Sequence, residues 1–118
     1  PVNFDTFDGL VVPADSSAAA EIQKKVPEAL VVKAFNTTFA GVLAAGKVGD
    51  KEPAVVLAAS DSEEAKKTLA EALEGSGLSV VDAGSLKRAR EMEALGFLQI
   101  SLAAREKISW TGGFAVIH

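Results

Sequence analysis

Cysteine is missing from these 118 residues, and histidine occurs once, at the last position. Without a thiol there is no disulfide framework, no thiolate nucleophile and no cysteine-ligated metal site. With His118 alone, neither a histidine-based triad nor a histidine metal cluster can be assembled. H-E-x-x-H, G-x-S-x-G and paired-carboxylate patterns are absent as well. Hydrolytic chemistry therefore has no visible apparatus, and no catalytic residue or metal ligand is assigned. Positive charge is scarce too: twelve Lys and Arg against sixteen Asp and Glu give a net charge of -4. The two signs alternate along the chain instead of forming a basic stripe, which argues against a nucleic-acid partner. No run reaches the roughly 18 apolar residues of a membrane span. Pro1-Val-Asn-Phe-Asp5 also lacks the basic start and apolar core of a secretory signal. The expectation is a soluble protein of the reducing cytoplasm with no membrane partner.

What is present is apolar material, 48% of the chain, enough for one core and one domain over residues 1–118. Residues 1–14 read as irregular, with Gly9 and Pro13 bracketing a short apolar run. Asp15-Ser-Ser17 offers N-cap oxygens to a helix over 16–26 that stops before Pro27. Leu30 to Phe35, broken only by Lys33, reads as a strand covered on both faces, and 37–48 as a short helix or turn loosened by glycines. Ala54 to Ala59 is a second buried strand. Ser60-Asp-Ser-Glu63 follows as a capping box for a helix to about Glu74, which Gly75-Ser-Gly77 ends. Leu78 to Val81 is a third strand, and a helix runs from Ser85 towards Arg105. Gly112-Gly-Phe-Ala-Val-Ile117 reads as a possible last strand. Alternation of this kind predicts an α/β fold with a mainly parallel sheet of three to five strands and flanking helices. Residues 94–104 are apolar on nearly every face, so the helix is either a central core element or a contact surface for another subunit or further protein.

Gly41-Val-Leu-Ala-Ala-Gly-Lys-Val48 imitates a P-loop, but Val48 stands where a magnesium-binding hydroxyl is required, so a nucleoside triphosphatase is rejected. Asn36-Thr-Thr38 satisfies a glycosylation sequon and, without a secretory signal, reads as an unmodified loop. The remaining chemistry lies at strand ends, where open parallel sheets hold ligands. Asn36, Thr37 and Thr38 follow the first strand; they suit a carboxamide or ribose, or else cap the next helix. Asp82-Ala-Gly-Ser85 follows the third, where Gly84 would let a flat ring approach the backbone and Ser85 equally serves as a helix cap. Lys87, Arg88 and Arg90 sit in the first turns of a helix, where an anionic ligand or Glu91 and Glu93 would offset their charge.

Two of these segments resemble signatures of the NADP-dependent coenzyme F-420 (deazaflavin) reductases. Val32-Lys-Ala-Phe-Asn-Thr37 is similar to that family's K-A-F-N-T, and Asp82-Ala-Gly-Ser-Leu86 with Ala89-Arg-Glu-Met-Glu93 to its D-A-G-[PS]-L…A-R-x-[LM]-E. A more distant resemblance is to the cytosolic reductase domain of six-transmembrane metalloreductases. The likeness extends over essentially all 118 residues and implies the later half of an NADP-dependent reductase, with a partial Rossmann-like fold. The activity it implies is hydride transfer between NADP(H) and a deazaflavin or flavin, with orientation as the protein's task. It places Asn36 and Thr37 beside the nicotinamide, and Ala83 and Gly84 near the second ring. No G-x-G-x-x-G turn occurs in the chain. These residues alone are therefore expected to bind cofactor weakly or not at all and to be inactive by themselves, the alternative being a non-catalytic assembly module that kept the fold. A homodimer or larger oligomer is expected, through Leu95, Phe97, Leu98, Ile100 and Leu102.

Overall fold

Capping side chains decide where two of the helices begin. The structure, a computed structural model, describes residues 1–118. Ser17 has an extended backbone and its hydroxyl accepts from the Ala20 N–H, so α1 runs over Ala18–Lys25, with Lys24 and Lys25 in the last turn where the macrodipole favours them. Ser62 does the same for α3 (Glu63–Ala72), accepting from the Ala65 N–H. The capping box expected between Ser60 and Glu63 is not formed. Ser60 instead donates to the Val31 carbonyl at 2.7 Å and accepts from the Ser62 N–H, while Glu63 pairs with Lys66.

The core of the sheet is β4 (Val55–Ala59), buried along nearly its whole length, lying parallel to β5 (Ser79–Gly84) with α3 as the crossover. A register shift after Ala58 brings Gly84 opposite Ala59. On the other side of β4 lies β1 (Lys33–Ala34), giving the order β1-β4-β5 and the α/β architecture with parallel strands and flanking helices that the sequence implied. β1 itself runs antiparallel, with Lys33 opposite Ala59 and Ala34 opposite Ala58. The strand expected over Leu30 to Phe35 shrinks to these two residues, because side chains satisfy the backbone before them: the Val31 N–H donates to Gln23 Oε1 and the Val31 carbonyl accepts from Ser60. Leu30 is 65% exposed, not covered on both faces. Phe35 then ends the strand in a left-handed conformation, φ 69°, which is uncommon for a bulky side chain.

Between these strands, α2 (Ala40–Ala45) ends at Gly46 with φ 75°, and β2 (Lys47–Val48) pairs antiparallel with β3 (Glu52–Pro53) in a hairpin the sequence reading missed. The P-loop mimic is thus helix plus hairpin. Residues 112–117 form no strand; a side chain from α4 (Ala89–Ala104) pins this tail, Gln99 Oε1 accepting from the Phe114 N–H at 3.1 Å. At the other terminus, Val2 and Leu10 bridge to each other, so the first dozen residues close on themselves and add no strand to either sheet edge.

A short 3-10 turn at Leu86–Arg88 leads into α4. Its buried residues, Ala89, Met92, Glu93, Gly96, Gln99 and Ala103, recur at three- and four-residue steps and so share one face. The larger apolar residues Leu95, Phe97, Ile100 and Leu102 are only half-buried and Leu98 is 46% exposed. The inward face is small and polar for a physical reason: it packs on loop and helix-end backbone, whose N–H and C=O groups need partners. Glu93 accepts from the Ala18 and Ala19 N–H groups at 2.6 and 3.2 Å and lies 3.6 Å from Lys33 Nζ. No helix is long and apolar enough to cross a membrane.

Replacing Glu93 by Ala would leave two N–H groups at the start of α1, one buried and one part-buried, and the Lys33 ammonium without their acceptor. The expected loss is about 2–4 kcal/mol of stability, read from urea unfolding. An unchanged midpoint would show that water serves these groups equally well.

Candidate functional site

Past the end of β1 the chain turns sharply. Phe35 in its left-handed conformation aims the next residue away from the sheet, and its carbonyl accepts from both the N–H and the hydroxyl of Thr38. Asn36 is thereby carried against α4. Its Nδ2 donates to the Met92 carbonyl at 2.7 Å, while its Oδ1 is buried and has no hydrogen-bond partner in the chain. The approach is so close that a Cβ at position 96 would stand 2.8 Å from the Asn36 carbonyl oxygen and 3.0 Å from Nδ2, which is why Gly96 lies here. Thr37, buried, has its carbonyl held by Gln99 Nε2 at 2.9 Å.

Asn36 lines a cavity of about 400 Å³ together with Thr38, Phe39, Gly41, Ile100 and Trp110. The rings of Phe39 and Trp110 stand 4.9 Å apart at 55° and form one wall. Two polar side chains in an otherwise apolar and aromatic lining suit a flat, partly polar ring. Sequence reasoning passed over Phe39 and Trp110 and read Ile100 as a subunit contact, whereas it lines this cavity; a lone tryptophan in a glycine-rich tail was the signal that could have found Trp110. A more charged cleft of about 320 Å³ lies beside α1, lined in part by Ser16, Lys24, Lys87 and Arg90. Its charges are largely answered within the chain: Lys24 pairs with Glu21 and Arg90 with Glu91. Glu91 also takes Arg88, while Glu93, read from sequence as a partner for these arginines, faces inward to α1.

Ala83 and Gly84 do not line the cavity of Asn36. They end β5, across β4 from β1, about 10 Å away at two inter-strand spacings. Since β1 is antiparallel, its start and not its end lies beside the carboxyl ends of β4 and β5. Gly84 has φ 111°, as the register shift at Ala59 requires. Its N–H donates to Asp82 Oδ1 at 2.8 Å and its carbonyl accepts from the Ser60 N–H and Lys66 Nζ. The same ammonium reaches Asp82 at 2.8 Å and Glu63 at 3.0 Å. Hydrogen bonds to Lys66, then to the Gly84 N–H, hold the Asp82 carboxyl below the usual carboxylate range. Asp82 and then Glu63 push the Lys66 ammonium above the ordinary lysine range, against the opposing effect of burial. The Lys66 side chain is nearly enclosed while that of Asp82 is half exposed, so this cluster shapes the end of β5 and stays open to water on the carboxylate side.

Helices around a sheet in which β4 and β5 run parallel make this a Rossmann-like α/β fold of the reductase type. Superposition on a crystal structure assigned to an F420-dependent NADP-reductase of Arthrobacter sp. FB24 gives a TM-score of 0.78 at 27% identity, covering 93% of this chain and 50% of that one. By sequence it is 32% identical over 104 residues to the F420-dependent NADP reductase of Methanocaldococcus jannaschii, covering 87% of this chain and 46% of that protein. It is also 40% identical over 80 residues to the rat metalloreductase STEAP3, covering 67% of this chain and 16% of that one. No family model matches. The chain belongs to the F420-dependent NADP reductase family of NADP-linked oxidoreductases, and spans half or less of the length of these relatives.

Linkage gives the sign of a pH effect. A depressed Asp82 adds stability above the usual carboxylate pKa that is lost as the pH falls through its folded value; a raised Lys66 adds stability that is lost only in strong alkali. Asp82→Asn, which keeps an acceptor for the Gly84 N–H, should therefore lower the thermal midpoint at neutral pH, with the difference from wild type closing below about pH 4. A difference that stays constant into acid would show that the ion pair contributes nothing.

Proposed function

We propose that the chain takes part in hydride transfer between NADP(H) and a deazaflavin or flavin, Asn36 holding the nicotinamide. The observation that carries this reading is the aromatic-walled cavity whose polar lining is Asn36 and Thr38. An amide and a hydroxyl at one wall can donate to and accept from the carboxamide of a nicotinamide. The residues present fit that group: an amide at the wall, Thr38 beside it, and Phe39, Ile100 and Trp110 for the ring. When bound, the nicotinamide and the second ring supply the hydride chemistry themselves. Asn36 and the adjoining Thr37 orient, and the aromatic wall excludes water. Ala83 and Gly84 are proposed to approach the second ring; with its polar groups satisfied inside the chain, Gly84 offers that ring only a bare surface.

Absence of a G-x-G-x-x-G turn from these residues leaves the pyrophosphate without its usual seat at a helix N-terminus. NADP+ should thus bind with a dissociation constant in the millimolar range or weaker, followed by nuclear magnetic resonance titration. Saturable shifts of the Asn36 side-chain amide and the Trp110 indole N–H are expected. Shifts confined to other surfaces would sink the reading, and a micromolar constant would show that the pyrophosphate is carried within this chain.

A second reading, assembly without catalysis, is favoured by the face of α4 around Leu98, which the chain leaves uncovered. Only 19 of the 118 residues are buried in a body measuring 40 × 39 × 20 Å, so much of the apolar half of the chain lies at the surface. Burying that face against a second copy would supply the homodimer expected from the sequence. Light scattering at tens of micromolar chain should give a dimer mass that Leu98→Glu reduces to the monomer. A monomer mass in both would remove this face as an interface.

A further inference from the structure

We infer that the cavity beside Asn36 selects the oxidised, positively charged nicotinamide ring over the reduced, neutral one, with Trp110 as the residue that makes the distinction. This rests on the proposed nicotinamide site and narrows it to one redox form of the ring.

None of the residues that line this cavity ionises, so no lysine or arginine there repels a cation and no carboxylate pairs with one. What is left to answer a charged ring is the electron-rich face of an aromatic side chain. Two stand in the wall, Phe39 and Trp110, with ring centroids 4.9 Å apart, and of these the indole attracts a cation more strongly. At 52% exposure Trp110 is reachable from solvent, so a cation beside it keeps part of its hydration and its desolvation cost stays small. Glu106 and Lys107 share a second cleft with Trp110 and are opposite in sign.

The indole is held in place through its backbone. Gly41 lies so close that a Cβ there would stand 3.2 Å from the Trp110 carbonyl oxygen and 3.3 Å from Thr111 Cγ2. The Thr111 carbonyl accepts from the Gly49 N–H at 2.8 Å, and the Gly112 N–H donates to the Ser109 carbonyl at 3.0 Å. Thus α2, the hairpin and the tail together fix where the single tryptophan of the chain stands. A pyridinium ring lying along it gains a cation–π attraction that the dihydropyridine, with the same carboxamide, does not. By linkage, tighter holding of the oxidised form lowers the potential of the bound couple by about 30 mV for each tenfold, which favours hydride leaving NADPH for the deazaflavin or flavin.

NADP+ and NADPH share phosphates, riboses and carboxamide, and titration of the intact chain with each is read from the Trp110 indole N–H and Asn36 side-chain amide resonances. NADP+ should bind about three- to tenfold more tightly. The ratio should persist in about 0.5 M salt, which screens the general repulsion between a net-negative chain and the more anionic ligand. It should vanish in Trp110→Leu, followed at Asn36. The salt comparison needs no variant, so it decides the matter even if that substitution unfolds the chain. Equal affinities with both resonances shifting would overturn the selectivity and leave the nicotinamide site standing, as would a ratio lost in salt or kept in Trp110→Leu. Failure of both ligands to shift these resonances would overturn the site itself, and the inference with it.

Discussion

One face of α4 holds together segments that share no ladder with one another. Glu93, Gly96 and Gln99 recur at single-turn spacing along it. Glu93 closes the start of α1 and neutralises Lys33. Gly96 lets the Asn36 turn lie against helix backbone, and Gln99 grips the Thr37 carbonyl with one end of its amide and the Phe114 N–H with the other. The two apolar clusters of the core contain three buried residues each, one around Leu86 and one around Val42. Apolar burial on that scale does not specify how α1, the Asn36 turn and the tail are oriented; the directional bonds of α4 do.

That division of labour has a cost which the fold distributes. A buried carboxylate and a buried amide are tolerated only when each lone pair and proton is answered, and α4 answers them with main-chain groups that would otherwise be orphaned. Its inward face is consequently spent on polar and small residues. Leu98 is left exposed and Leu95, Phe97 and Leu102 of the same helix are only half covered, while Ile100 lines the cavity of Asn36.

The same geometry sets the character of the cavity. Close packing at Gly96 commits one half of the Asn36 amide to the Met92 carbonyl and isolates the other half, and the aromatic pair of Phe39 and Trp110 supplies the wall opposite a polar corner. The Lys66, Asp82 and Gly84 cluster is different in kind. Its polar groups bond to one another, and they stabilise the shifted register at the end of β5.

Much of this was legible in the chain itself. Ser17 and the glycines that follow α2 and α3 mark boundaries because capping is a local bond between near neighbours, and the buried run of β4 is legible because its apolarity is continuous. Family membership was legible too, since K-A-F-N-T and D-A-G-S-L are contiguous. What contiguity does not encode is pairing. Leu30 to Phe35 has the apolarity of a full strand, yet only the bonds from Gln23 and Ser60 to Val31 and the left-handed turn at Phe35 decide that it pairs over two residues, and antiparallel. Likewise, nothing near position 93 or 99 announces that a glutamate and a glutamine face inward, or that Trp110 returns to Phe39; the bonds from Glu93 to α1 and from Gln99 to Thr37 span 62 to 75 positions, and the aromatic pair is about as far apart in the chain. The sequence by itself determined the elements and the ancestry, which depend on neighbouring residues. The tertiary structure alone decided which amide oxygen is left without a partner, because that depends on which distant backbone arrives beside it.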